Sequence, residues 1–187
     1  IPNSIDPVLN MIILHYQFEA IHPFSDGNGR SGRILNVLYL TLQSLLELPV
    51  LYISKYILEN KSEYYRLLSA VTEDGDWEGW ILFMLEAVYQ TSVFSLKKVN
   101  AIFDLFNQVK NTVQKDAGDI YSRELIETIF SQPYCKIKML VDNNIATRNT
   151  ASKYLGRLTD LGIMESVREG KEILYLNKGL FEILSSG

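Results

Sequence analysis

The chain has 187 residues, of which 47% are hydrophobic and 21% charged, and a formal net charge of −4 at pH 7. This is ordinary globular composition, so extensive disorder is excluded, and the length suffices for one large core or two modest ones. The negative balance excludes a chain that coats nucleic acid indiscriminately, although a local basic patch stays open.

Polar residues interrupt even the richest apolar stretch, residues 34–51, before it reaches the roughly 18 residues of a spanning helix. A soluble protein without a membrane partner is expected. Cys135 is the single cysteine, and there are two histidines. These are too few for an internal disulfide or a Cys/His zinc centre, and the cytoplasm is the expected compartment. The opening Ile1-Pro2-Asn3 has neither an initiator Met nor a charged-then-apolar leader, so an upstream segment is expected.

Asp6-Pro7 reads as an N-cap and a first-turn proline, and Leu9, Ile12, Ile13, Tyr16 and Ala20 then recur at helical spacing, which predicts a helix to about Ile21. Residues 22–29, with one proline and two glycines, read as a loop. A second helix is predicted from about Arg30 to Leu45, with Pro49 preventing its extension. Ser54 is expected to cap a helical stretch running through Val71, and Asp76 to cap a long one from Trp77 to about Val113. The polar stretch 115–119, with Gly118 inside it, is the expected domain boundary. Helical patterns then follow at 121–131, 136–143 and 147–161, and two short β-like runs at 163–167 and 173–176 flank a turn at 168–171. Three helices and a terminal hairpin are the order of a winged helix-turn-helix.

Chemistry concentrates in the twelve residues from His22 to Arg33. Gly27 and Gly29 flank Asn28 and permit backbone that aims successive N–H groups at one spot, while the helix start that follows favours anions. That reads as a phosphate cradle. Arg30 and Arg33, three residues apart, suit bidentate phosphate binding. Asp26 supplies a hard oxygen for magnesium, whose remaining positions phosphates and water fill. Histidine is the usual general base at neutral pH, and His22 is the natural one for a hydroxyl beside the phosphates. The string Gly27-x-Gly29-x-x-Gly32 lacks the preceding strand of a dinucleotide-binding fold, and Arg30 stands where a Walker loop needs lysine.

The segment resembles the Fic family signature His-x-Phe-x-(Asp/Glu)-Gly-Asn-Gly-Arg-x-x-Arg, matching it at His22, Phe24, Asp26, Gly27, Asn28, Gly29, Arg30 and Arg33. The likeness extends to Gln17-Phe18-Glu19-Ala20-Ile21 before the loop and to Tyr64-Tyr65 and Gly75-Asp76-Trp77 after it. A winged-helix-like C-terminus is also common in bacterial Fic proteins. The resemblance implies a mainly α fold: a Fic-type helical bundle over residues 1–115, without its N-terminal flap and helices, then a small winged helix-turn-helix domain over 119–187. It implies an adenylyltransferase that moves AMP from ATP to a Ser, Thr or Tyr hydroxyl of a target protein and releases pyrophosphate. In that role His22 is the base, Asp26 holds Mg2+, and Gly27, Asn28, Gly29, Arg30 and Arg33 bind phosphates. Phe24 is then the loop's buried anchor, and Tyr64 or Tyr65 lines the purine pocket.

The family's inhibitory string is missing from these residues; Ser54 to Glu59-Asn60 has one residue too many. Two alternatives stand beside transfer of AMP: an ATP-sensing DNA-binding regulator, and a Fic enzyme that transfers another phosphate-containing group. In the C-terminal part, Arg148, Lys153 and Arg157 are the expected DNA contacts, with Arg168 and Lys171 on the wing. Residues 119–187 nevertheless balance nine Lys/Arg against nine Asp/Glu, a weak electrostatic footprint for DNA. A homodimer is a further expectation. His15, Cys135, Trp77 and Trp80 read as structural residues.

Overall fold

The structure is a computed structural model that describes residues 5–170 and 172–186. Ile1-Pro2-Asn3 and Lys171 lie outside the described residues. The fold is mainly α, as expected, with a small sheet near the C-terminus. Two compact units divide at Leu96/Lys97.

The first unit, Ile1–Leu96, opens with α1 (Pro7–Ile21). The Asp6 carboxylate accepts from the N–H groups of Val8 and Leu9 at 2.8 and 3.4 Å, satisfying donors that a helix start leaves unpaired. The loop leads into α2 (Asn28–Leu42), capped by Gly27 with φ +83°. This start is two residues earlier than the pattern predicts, because Gly27 takes up the left-handed turn.

Two helices follow where one continuous stretch is expected: α3 (Ile53–Glu59) and α4 (Lys61–Asp74), with Asn60 between them. Ser54 is not a cap; it lies inside the first turn of α3, behind Tyr52. Gly75, at φ +70°, closes α4, and Asp76 accepts from the Gly79 N–H to start α5 (Trp77–Asp116). The core of this unit includes Met11 and Ile12 of α1, Ile57 of α3, Leu67 of α4, and Trp80 and Met84 of α5. The indole N–H of Trp80, fully buried, reaches the Ile12 carbonyl at 3.4 Å.

Contrary to the expectation from hydropathy, α5 is long and apolar enough to cross a membrane by length and composition alone. Its Trp80, Met84 and Ala87 are nonetheless fully buried against other helices of the first unit.

The second unit, Lys97–Gly187, takes in the C-terminal part of α5, whereas the expected boundary at 115–119 coincides with that helix's end. Val109 and Val113 of α5 join a core with Leu125, Ile126 and Ile129 of α6 (Arg123–Phe130), Leu140 of α7 (Ile137–Asp142) and Leu155 and Leu158 of α8 (Arg148–Asp160). An antiparallel sheet of order β1-β3-β2 closes it, built from β1 (Tyr134–Cys135), β2 (Met164–Glu169) and β3 (Glu172–Asn177). The register pairs Ser166 with Tyr175 and Cys135 with Tyr175 across β3. Strand β1 and the final helix α9 (Lys178–Ser185) are additions to the expected order. Helices α6 to α8 followed by the β2–β3 hairpin give the winged-helix order.

Candidate active site

Helix α1 is capped at its C-terminus by His22, which adopts the left-handed conformation (φ 51°, ψ 56°) while its N–H still donates to the Phe18 carbonyl at 3.1 Å. That turn directs the chain away from α1 and leaves His22 exposed. A proton acceptor placed there is open to an incoming hydroxyl.

Asn28 holds the loop shut. Its side chain is buried, and its Oδ1 accepts from the Phe24 N–H at 2.9 Å while its Nδ2 donates to the Phe24 carbonyl at 2.6 Å. Both ends of the carboxamide are thus committed to protein, and what Asn28 offers an anion is its backbone N–H in the first turn of α2. Phe24, expected as the buried anchor, is 53% exposed, with its ring 6.2 Å from that of Phe18. The anchor is Asn28 instead, because a carboxamide can satisfy the two backbone groups of Phe24 and a phenyl ring cannot.

At the loop's mouth, Asp26 accepts from the Gly27 N–H at 2.7 Å, and its other oxygen lies 3.4 Å from Arg30 Nη2. Both side chains are largely exposed, so the pair adds little stability and is free to exchange for a ligand. A hard oxygen donor beside an anion-binding helix start fits magnesium, which is usually held by one or two carboxylates plus phosphates and water. Among the described residues no group of three or more His, Cys, Asp or Glu side chains is placed to bind a metal without such help.

Arg33 is half-buried, one turn further along α2. Its Nε donates to Ser54 Oγ at 3.0 Å. A Cβ on Gly29 would lie 3.0 Å from Arg33 Nη1, so the guanidinium folds back over the helix start. Glu19 of α1 approaches from the other side and is mostly buried. Burial raises its carboxyl pKa, while the charges of Arg33 and His22 pull it down. Its Oε1 has no hydrogen-bond partner among the described residues. A Cβ on Gly32 would collide with that atom and come within 3.1 Å of His15.

Tyr64, expected to line a purine pocket, is a core residue. It is 3% exposed, its hydroxyl is 3.0 Å from His15 Nε2, and its ring packs near Trp80. Tyr64 shares a face of α4 with Leu68, which packs against the same core. Tyr65, its neighbour in sequence, is 54% exposed and is the one of the pair open to a ligand. Burial, with Arg33 adding to it, pushes His15 down to about 4. Sequence reasoning missed Glu19 and Ser54 as parts of the site. Glu19 stands three residues before His22 on the same face of α1, a signal that was present but indistinguishable from a solvated helix position.

In the second unit, Arg148, Lys153 and Arg157 are exposed but do not form one stripe. Arg148 lines a groove with Lys138 and Glu172, and Arg157 Nη2 reaches the Asp116 carbonyl at the end of α5 at 3.5 Å. Spacings of five and nine residues from Arg148 turn the side chains by about 140° and 180° around a 3.6-residue helix. Cys135 is fully buried, and burial pushes its thiol up to about 11, as befits a packing residue.

Residues 2–40 match the Fic/DOC family, and residues 105–180 match the C-terminal domain of SoFic-like protein adenylyltransferases. The protein adenylyltransferase Fic of Drosophila grimshawi is 32% identical over 115 residues, which are 62% of this chain and 22% of that protein. A "Probable protein adenylyltransferase" of Aquifex aeolicus is 50% identical over 54 residues, 29% of this chain and 17% of that one. The chain therefore spans less than a quarter of the length of these relatives. A solved structure of a Fic family protein from Desulfovibrio desulfuricans is 22% identical, with a TM-score of 0.48 over 94% of this chain and 50% of its own. The loop from His22 to Arg33 lies inside the first matched segment, so the segment that carries it and the C-terminal one both match models of Fic proteins.

Proposed function

We propose that this chain carries the nucleotide-handling site of a protein adenylyltransferase that moves AMP from ATP to a Ser, Thr or Tyr hydroxyl of a target protein. The observation that carries this reading is the loop closed by Asn28 onto Phe24, with His22 exposed at one end and the first turn of α2, Arg30 and Arg33 at the other. A base, an anion-binding helix start and two guanidinium groups within twelve residues match what phosphoryl-group chemistry needs, which is positioning and charge stabilisation.

In the proposed reaction His22 accepts the proton of the target hydroxyl, and the freed oxygen bonds to the α-phosphorus. The bond from that phosphorus to the bridging oxygen breaks, and pyrophosphate leaves with the electron pair. First-turn N–H groups of α2 and the two guanidinium groups bind the phosphate oxygens and take up the charge that develops on them. Asp26 would hold magnesium, which when bound draws charge from the phosphates. Tyr65 is the exposed ring offered to the base. The cytoplasm is the proposed setting, supported by a lone cysteine kept in a core.

For the C-terminal domain we infer contact with protein rather than DNA. The balanced charge of residues 119–187 supports this, as does the engagement of Arg157 with the Asp116 carbonyl. Retention on DNA at low salt would overturn it.

The test incubates full-length protein and its His22→Ala variant with magnesium, cell lysate and ATP labelled at the α- or the γ-phosphate. Protein labelled from α-ATP alone, and unlabelled with the variant, is the expected result. Label from γ-ATP alone would mean phosphate transfer. Binding of ATP with no transfer from either position would favour a sensor.

A further inference from the structure

We propose that Ser54 is a positioning residue for Arg33: its hydroxyl fixes the guanidinium over the first turn of α2, where the loop receives an anion. This inference rests on the nucleotide reading above and names a residue outside the matched loop.

Three observations converge on it. Arg33 Nε donates to Ser54 Oγ at 3.0 Å, across 21 positions of sequence. The same guanidinium passes so close to Gly29 that a Cβ there would be 3.0 Å from Nη1, and Glu19 Oε2 would be 3.9 Å from that same Cβ. Ser54 does not cap α3, whose N-cap is Tyr52, so its hydroxyl is not engaged in the local role that serine most often takes near a helix start.

An arginine has five N–H donors in a rigid fork, and fixing Nε fixes the direction of the other four. With Nε held by Ser54, the Nη groups face the loop. Without that bond the long side chain samples several rotamers, most of which point away from the helix start, and each must be excluded when an anion binds. Glu19 supplies the electrostatic floor. It is mostly buried, burial raises its carboxyl pKa and the charge of Arg33 lowers it, so the two side chains interact electrostatically across the helix start.

Ser54 also sits on a different helix from the loop, so it couples the position of α3 to the readiness of Arg33. A shift of α3 that lengthens this hydrogen bond lowers anion affinity without touching any loop residue.

The test is a double-mutant cycle on full-length protein with Mg-ATP as the probe, using S54A, R33A and S54A/R33A, and S54T as the conservative variant. A hydrogen bond from a charged donor is worth enough that S54A should weaken ATP binding about tenfold, while S54T, which keeps the hydroxyl, should restore most of it. In the R33A background S54A should have no further effect, since Ser54 acts through Arg33; an undiminished effect there would overturn the proposal as merely structural. A second measurement does not depend on nucleotide: the Arg33 Nε–H resonance, assigned through R33K, should be protected from exchange in wild type and lose protection in S54A. Failure of the wild type to bind ATP would refute the nucleotide reading, and the resonance would still decide whether Ser54 holds Arg33. Unchanged affinity and unchanged protection in S54A would refute the inference alone.

Discussion

Replacing Asn28 by alanine separates loop order from global stability. The side chain makes two hydrogen bonds to the backbone of Phe24, at 2.9 and 2.6 Å. At about 0.5–1.5 kcal/mol net for each bond, the pair holds the loop closed by about 1–3 kcal/mol. Phe24 is 53% exposed, so its freed N–H and C=O turn to water, and the global melting temperature should fall by no more than several degrees. The anion site, however, exists only in the closed loop. If closure weakens by that amount, apparent ATP affinity falls by the same factor, roughly 5- to 150-fold. Asn28→Asp is the sharper variant. It is isosteric and can still accept from the Phe24 N–H, but it sets a carboxylate oxygen against the Phe24 carbonyl and adds negative charge where phosphates bind. Calorimetric titration with Mg-ATP, run beside thermal melting, reads both quantities. An N28A protein that melts several degrees lower yet binds ATP within twofold of wild type would refute this account of the loop.

Two further predictions concern stability. His15 is held neutral with its pKa lowered from 6.5 to about 4. As pH falls the unfolded state takes up the proton first, so stability is fully present above about pH 6.5 and is lost progressively down to about pH 4, by about 3 kcal/mol at most. Denaturant midpoints measured across that range should drop more for wild type than for His15→Gln, and equal slopes would remove the assignment. Gly32→Ala and Gly156→Ala should have opposite signs. At Gly32 a Cβ meets Glu19 and comes within 3.1 Å of His15, whereas at Gly156 nothing lies within 4 Å. Crowding costs about 1–3 kcal/mol against a helix-propensity gain of about 1 kcal/mol, so G32A should be destabilised and G156A stabilised in thermal melts.

What the sequence made legible follows from how local each determinant is. Asp6-Pro7 announces α1 because an N-cap and a first-turn proline act within three residues, and the structure puts the helix start there. The His22–Arg33 loop is legible for the same reason: its glycines, acid and arginines bear on one another within a turn or two. Long-range partners are not. Nothing in Ser54 announces that Arg33 lies 21 positions upstream in hydrogen-bond reach, and a serine three residues before Ile57 reads as a cap. Tyr64 and Tyr65 show the limit of periodicity, which assigns a face but not which face is buried. The Tyr64 hydroxyl lies within hydrogen-bond reach of His15 in the core. Strand β1 is two residues long and exists only through pairing with β3, about forty positions away.

The same distinction accounts for how the site is built. The loop supplies the chemistry, but its geometry is held by residues that sequence patterns rank as ordinary. Asn28 closes it from within, Gly32 lets Glu19 and His15 press against α2, and Ser54 reaches Arg33 from another helix. On the proposed reading, a loop whose exposed ends are His22 and Arg30 must be rigid to place them, and exposure removes the packing that would otherwise supply rigidity. Polar bonds to backbone and glycine-permitted close contacts supply it instead. Substitutions at the supporting positions should therefore weaken anion binding more than they lower the melting temperature, whereas substitutions at Trp80 or Ile12 should do the reverse.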